Sequence, residues 1–221
     1  MTRSVSRSGF SRTLCTQIKR RALSSPFRRA RHWWAYLVWP CSGFPIPPPQ
    51  LIKPAIILDY AKRFDTKVFV ETGTYFGDTV AVLRSHFDQL TTIEIDPYLF
   101  RRARQRFHQS PQLTVCNGDS AQLLPAIVKN LPCKAIFWLD AHYSSGITGR
   151  SLLNSPLLEE LRVILECSSH DHVVLVDDAR CVNGKEGYPT LQQLNRIVSE
   201  SRPEYVVNVS LDVVGIHPRE R

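Results

Sequence analysis

From Lys53 onward, short runs of β-branched and aromatic residues alternate with longer amphipathic stretches. That alternation predicts a parallel sheet with crossover helices. The pattern gives a helix over 56–63, a strand over 67–70, and a helix carrying Val80, Val82, Leu83 and Phe87. A second strand follows over 90–95, then a helix over 98–107 opened by Pro97, whose Arg101, Arg102, Arg104 and Arg106 form a solvated face. A third strand over 113–116 leads to a helix through Leu123, Leu124 and Ile127, and a fourth strand covers 135–139. A helix over 156–166, a fifth strand over 172–176 and a helix near 191–199 complete the alternation. Stretches 205–209 and 211–216 read as a closing antiparallel pair.

Five β/α units and a hairpin predict an α/β fold, a Rossmann-like three-layer sandwich with a mostly parallel seven-stranded sheet and a C-terminal antiparallel hairpin. No internal repeat is present, which argues against a solenoid. With 43% hydrophobic residues, the chain is not wholly disordered. The best apolar run, Trp33 to Trp39, stops at Pro40, far short of the roughly 18 to 20 residues a membrane-spanning helix needs.

Charge divides the chain in two. The 221 residues carry a formal charge of +8, which points at first to nucleic acid. Ten basic residues and no acid precede Asp59, leaving 18 basic against 20 acidic residues in the remainder. The excess belongs to a leader, and the slightly acidic body argues against a nucleic-acid groove. Residues 1–44 are therefore expected to be a basic, poorly ordered extension, and residues 45–221 the functional domain. The Arg/Ser-rich leader has the composition of an organelle transit peptide. It also suits an arm held at an anionic membrane, with Trp33, Trp34, Tyr36 and Trp39 as interfacial anchors. Pro45, Pro47, Pro48 and Pro49 are expected to form a stiff linker between arm and body. The six cysteines include no Cys-x-x-Cys pair, which fits a reducing, cytoplasmic compartment. Cys116 and Cys133 flank apolar stretches and read as buried small hydrophobes.

Candidate chemistry gathers at the carboxyl ends of the predicted strands, where open α/β sheets bind ligands. After the first strand comes Glu71-Thr-Gly-Thr-Tyr-Phe-Gly77, whose glycines allow close backbone approach at the start of a helix. Tyr75 departs from the Gly-x-Gly-x-x-Gly pattern, which disfavours a nicotinamide cofactor. Glu94 ends the second strand, where an acid can accept the ribose hydroxyls of an adenosine ligand. Asp119, in Gly118-Asp-Ser120 after the third strand, is placed either to reach an adenine or to cap the next helix.

These segments, with Glu94-Ile-Asp96, Phe137-Trp-Leu-Asp-Ala-His-Tyr-Ser144, Val176-Asp-Asp-Ala-Arg180, Tyr188-Pro-Thr190 and Pro47-Pro-Pro-Gln-Leu-Ile-Lys53, resemble a small branch of the class I S-adenosylmethionine-dependent methyltransferases. The resemblance runs from about Pro45 to Pro218 and is specific for the superfamily, not for a substrate. It implies that Glu71, Gly73, Thr74 and Tyr75 line the methionine moiety, Glu94 the ribose and Asp119 the adenine. Gly77, Thr79, Ser120 and Asp140 complete the expected cofactor set.

On the acceptor side, Asp140, Asp177 and Asp178 end two strands that are neighbours in such a fold. Three converging carboxylates are costly without a cation. Catechol-type O-methyltransferases hold a metal with a similar set, so Mg²⁺ on Asp140, Asp177 and Asp178 is one expectation. The other is that Asp177 and Asp178 cap a loop and pair with Arg180. His142 is the candidate general base, since its ordinary pKa near 6.5 suits proton removal at neutral pH. Tyr143, Ser144, Ser145, Gly146 and Thr148 form a polar loop suited to closing over an acceptor. The expected activity is methyl transfer to a hydroxyl of a small molecule. The alternatives are a nucleoside-binding protein without turnover and an RNA methyltransferase that uses the basic arm.

Overall fold

The computed structural model describes residues 34–139, 156–185 and 187–220. Asp140, His142, the loop residues Tyr143, Ser144, Ser145, Gly146 and Thr148, Trp33 and the leader before it lie outside the described residues. The elements are α1 (Ile52–Arg63), β1 (Val68–Thr72), α2 (Asp78–Leu83), β2 (Gln89–Glu94), α3 (Pro97–Arg106), β3 (Leu113–Asn117) and α4 (Ser120–Lys129). They continue with β4 (Ala135–Leu139), α5 (Pro156–Glu166), β5 (Val173–Val176), α6 (Leu191–Ser201), β6 (Tyr205–Ser210) and β7 (Val213–Pro218). The seven strands form one sheet in the order β3-β2-β1-β4-β5-β7-β6. The first five pair in parallel, and β7 runs antiparallel to both β5 and β6. This is the expected architecture.

Period-2 alternation explains the layers, because successive residues of a strand point to opposite faces. Val68 and Val70 of β1 and Phe137 and Leu139 of β4 pack with α4, α5 and α6. Phe69 of β1, Leu90 of β2 and Ile136 and Trp138 of β4 pack with α1, α2 and α3. Both faces are covered, so β1, β4 and β5 are buried at every position and read as near-continuous apolar runs. The helix starts follow local chemistry. Asp96 accepts from the Tyr98 and Leu99 N–H groups ahead of Pro97, and Thr190 and Gln193 form a capping box on α6.

Three expectations change. First, α1 begins at Ile52, and the segment before it is packed onto the body rather than held off by a proline linker. Trp39 is buried (8% exposed) in the same cluster as α1. Its indole N–H donates to the Pro45 carbonyl at 2.7 Å, and its ring meets Phe44 edge-on. Trp39 and Phe44 thus pack with α1, because a large aromatic in position 39 has apolar surface to bury. Second, the final hairpin turns at Leu211 and Asp212, which both have positive φ (52° and 64°), so 211 belongs to the turn and not to a strand. Two consecutive left-handed residues are the geometry of a two-residue hairpin loop, and Leu-Asp lacks the glycine or asparagine that usually signals it. Third, Cys133 is exposed and Cys116 half-buried, since 133 lies in the turn before β4 and not within a strand.

At the opposite edge of the sheet from the strand ends, His172 is buried. The Ala135 N–H donates to its Nδ1 at 3.0 Å, which leaves the ring proton on Nε2, and Nε2 has no hydrogen-bond partner among the described residues. Burial, followed by the charges of His170 and Arg202, pushes its pKa down to about 4. His217, against Tyr60 and Phe64, is also lowered, chiefly by burial. Unfolded histidines near 6.5 take up protons that these folded ones refuse. Stability is therefore full above about pH 6.5 and declines toward pH 4, by about 3 kcal/mol from His172 alone. Urea denaturation at a series of pH values should show this loss. His172→Leu should flatten it while lowering stability at neutral pH, since Ala135 N–H loses its acceptor; an unchanged slope in that variant would refute the assignment.

Candidate functional site

The strand order reverses between β1 and β4, and open α/β sheets bind ligands beyond the carboxyl ends at such a point. The turn after β1 forms one wall. Gly73 (φ 85°), Tyr75 (φ 49°) and Gly77 (φ 71°) all take left-handed backbone there. The Gly73 and Thr74 N–H groups donate to the Ile93 carbonyl of β2 at 2.9 and 3.2 Å, which folds the turn against its neighbour strand. Tyr75, at 63% exposed, carries its ring outward.

Two buried acids anchor this wall. Glu71 of β1 accepts from Thr92 Oγ1 at 2.8 Å, and Thr92 lies 2.6 Å from Thr74 Oγ1. Because the Thr92 proton goes to the carboxylate, Thr74 is the donor to Thr92. Glu94 is 5% exposed at the end of β2. Its Oε2 accepts from the Tyr75 N–H at 2.7 Å and its Oε1 from the Asp96 N–H at 2.9 Å. These bonds use two of a carboxylate's roughly four acceptor positions, so the group retains capacity for two further donors. One carboxylate therefore secures the glycine turn and offers the acceptor chemistry expected for a ribose.

The other cofactor candidates fall nearby with local partners. Asp119 caps α4 by accepting from the Ala121 N–H at 3.1 Å, and the Ser120 hydroxyl donates to Glu160 of α5. Gly118 N–H and the Asn117 side chain donate to the Glu94 carbonyl, at 3.1 and 2.7 Å, so the ends of β2 and β3 are tied together. Thr79 is half-buried in the first turn of α2.

Beyond β5 the acids are compensated by side chains. Asp177 Oδ2 accepts from Lys53 Nζ and Oδ1 from the Asp178 N–H at 2.9 Å. Asp178, in left-handed backbone (φ 53°), accepts from Arg180 at 2.7 Å, with Lys53 Nζ 3.9 Å away. Arg180 also donates to Asp212 from the β6–β7 turn, through both guanidinium and backbone N–H. These carboxylates, acting through hydrogen bonds and charge, hold the Arg180 pKa above its ordinary value although burial opposes them. Asp177 N–H donates to the Leu139 carbonyl at 2.9 Å, so the end of β5 stays in register with the end of β4. With strands about 4.8 Å apart, the Glu71 and Leu175 backbones lie about 10 Å from each other across β4, with Asp177 two residues beyond Leu175. Among the described residues, no group of three or more His, Cys, Asp or Glu is placed to hold a metal ion.

Lys53, Arg106 and Asp212 were missed as site residues. Lys53 is far from the strand ends in sequence, Asp212 falls in the final hairpin turn, and Arg106 was read as part of a solvated face. Arg106 in fact donates to the Phe76 carbonyl and, at 2.9 Å, to Asp78, bracing the glycine turn from α3. A basic residue on a predicted polar face carries no signal for that reach. At Gly77 the φ of 71° is joined by a tight packing constraint, since an added Cβ would lie 2.7 Å from Phe107 Cε2. Gly77→Ala is expected to cost about 2 to 4 kcal/mol from left-handed strain and overpacking together. Denaturant melts measure this, and a loss under about 0.5 kcal/mol would remove Gly77 as a constraint on the turn.

No family model matches the chain and no curated protein matches it. Solved structures do. An O-methyltransferase from Bacillus cereus in complex with SAH aligns with a TM-score of 0.56 and 13% identity, covering 86% of this chain and 91% of that one. An O-methyltransferase from Streptomyces achromogenes involved in tomaymycin synthesis, in complex with SAM, aligns at 0.54 and 14%, covering 96% and 97%. An SAH-bound methyltransferase from Podospora anserina aligns at 0.54 and 15%, covering 99% of both chains. The chain has the fold of the class I S-adenosylmethionine-dependent methyltransferases.

Proposed function

We propose that the protein is an S-adenosylmethionine-dependent methyltransferase that methylates a hydroxyl of a small molecule. The observation that carries this reading is Glu94, buried at the end of β2, with one acceptor position spent on the glycine turn, one on the Asp96 N–H, and the rest available to a ribose. Glu71, Gly73, Thr74 and Tyr75 would line the methionine part. Gly77, Thr79, Asp119 and Ser120 would shape the adenosine side, and Asp140 the boundary with the acceptor. When bound, S-adenosylmethionine supplies an electrophilic methyl group on a sulfonium. The chain's task is then to orient an acceptor oxygen in line with that methyl and to receive its proton. Asp140 is the residue directly after β4, and His142, two further on, is the proposed base. O-methyltransferases among the similar structures support a hydroxyl acceptor.

Calorimetry with S-adenosylhomocysteine should give one site per chain. Glu94→Ala should weaken it about tenfold or more, because a charge-assisted acceptor and the anchor of Tyr75 are lost together. Absence of binding by wild-type protein to both cofactor forms would end this reading. With hydroxyl compounds offered as phenols, sugars and small acids, release of demethylated cofactor identifies the acceptor class.

We also propose that the N-terminal region meets an anionic membrane surface. No helix of the described residues is long and apolar enough to cross a membrane. Residues 34–38 are helical, with Trp34 67% and Leu37 64% exposed, while Trp39 is buried and therefore unavailable as an anchor. Residues 1–33 add nine basic side chains and no acid. Vesicles containing phosphatidylserine should retain the protein, with retention falling as salt rises and in Trp34→Ala/Leu37→Ala, and phosphatidylcholine vesicles should not. Equal retention by both lipids would exclude the charge-led contact.

A further inference from the structure

The acids after β5 already have a cation, and it is part of the chain. Lys53 lies in the first turn of α1, and its side chain is buried with those of Asp177 and Asp178. Its ammonium donates to Asp177 Oδ2 and stands 3.9 Å from Asp178 Oδ1. The remaining Asp177 oxygen is engaged by the Asp178 N–H, and Asp178 is engaged by Arg180. A divalent cation on these carboxylates would have to share them with a fixed ammonium. Helix α1 cannot readily withdraw that ammonium, because Ile52, Ala55, Ile56 and Ile57 around it are buried in the core. The charge balance agrees. Asp177, Asp178 and Asp212 face Lys53 and Arg180, a net of −1 among the described residues. A dication on Asp177 and Asp178 would stand beside two fixed cations, where like charges repel.

The donor set therefore does not fit a divalent metal, contrary to the Mg²⁺ expectation for Asp177 and Asp178. We propose that Lys53 takes the place of that ion, a resident ammonium that offsets the acids after β5 and holds the 177–181 turn, so that the chain works without a divalent metal. The inference rests on the methyltransferase reading only in calling this edge the acceptor side. Lys53 is here a positioning residue.

The test uses the full chain. Equilibrium dialysis against Mn²⁺ should leave no bound ion on wild-type protein at submillimolar concentration. Its thermal midpoint should agree within about 1 °C between EDTA and millimolar Mg²⁺. Lys53→Met should melt lower and regain about 3 °C or more with Mg²⁺ or Mn²⁺, a response that a merely structural lysine would not produce. One Mn²⁺ held by wild type and lost in Asp177→Asn would overturn the proposal. So would a folded Lys53→Met that ignores both ions. If Lys53→Met does not fold, the wild-type dialysis decides alone. S-adenosylhomocysteine is added in parallel to metal-free wild type. A midpoint that it fails to raise counts against the methyltransferase reading and leaves the metal result standing.

Discussion

Carboxylates buried along one edge of a sheet need compensation, and the organisation of this protein follows from how each one obtains it. Glu71, Glu94, Asp177, Asp178 and Asp212 are all buried at the carboxyl edge or in the turn beside it. An isolated buried charge is costly, so each must be hydrogen-bonded or paired. On the β1–β2 side the compensation is local. A hydroxyl serves Glu71 and backbone N–H groups serve Glu94. On the β5 side it is long-range and ionic, drawn from α1 and from the turn region after β5.

The two halves differ in consequence. Backbone donors are fixed by the turn that carries them, so Glu94 and the glycine turn define each other's position. Removing the acid would loosen the turn, and a side chain at Gly77 would displace it against Phe107. The ionic half depends on side chains from elements far apart in sequence, and its geometry holds only while α1 and the final hairpin are docked. Arg106 is an intermediate case, a side chain from α3 that secures the turn at Phe76 and Asp78.

What was legible in the sequence follows the same division. The layer order and nearly every strand could be read, because buried parallel strands form short apolar runs and β4 and α5 fall where the pattern put them. Glu94 was legible because a strand-end acid at that position has a local signature. Asp119 was readable both ways, and its capping bond to Ala121 is the local half of that reading. Lys53 was not legible as a partner of Asp177, since 124 residues separate them and only the tertiary fold joins them. The Leu211-Asp212 turn was hidden for a different reason. Its left-handed backbone is imposed by the hairpin and by the bonds Asp212 makes to Ala179 and Arg180, against the preference of its own residues. Trp39 was misplaced because an aromatic beside prolines looks the same whether it faces solvent or core.

The Asp212 contacts bear on how the molecule is made. During synthesis the chain emerges from its amino end, so Lys53, the glycine turn and both β5 acids are available before the last strand leaves the ribosome. Asp212 follows them, and only then can Arg180 be shared between Asp178 and the hairpin turn. The β1–β2 wall can assemble early, but the opposite wall closes only once β7 lies between β5 and β6. A chain made only as far as Ser210 would therefore have one finished wall and one unfinished one.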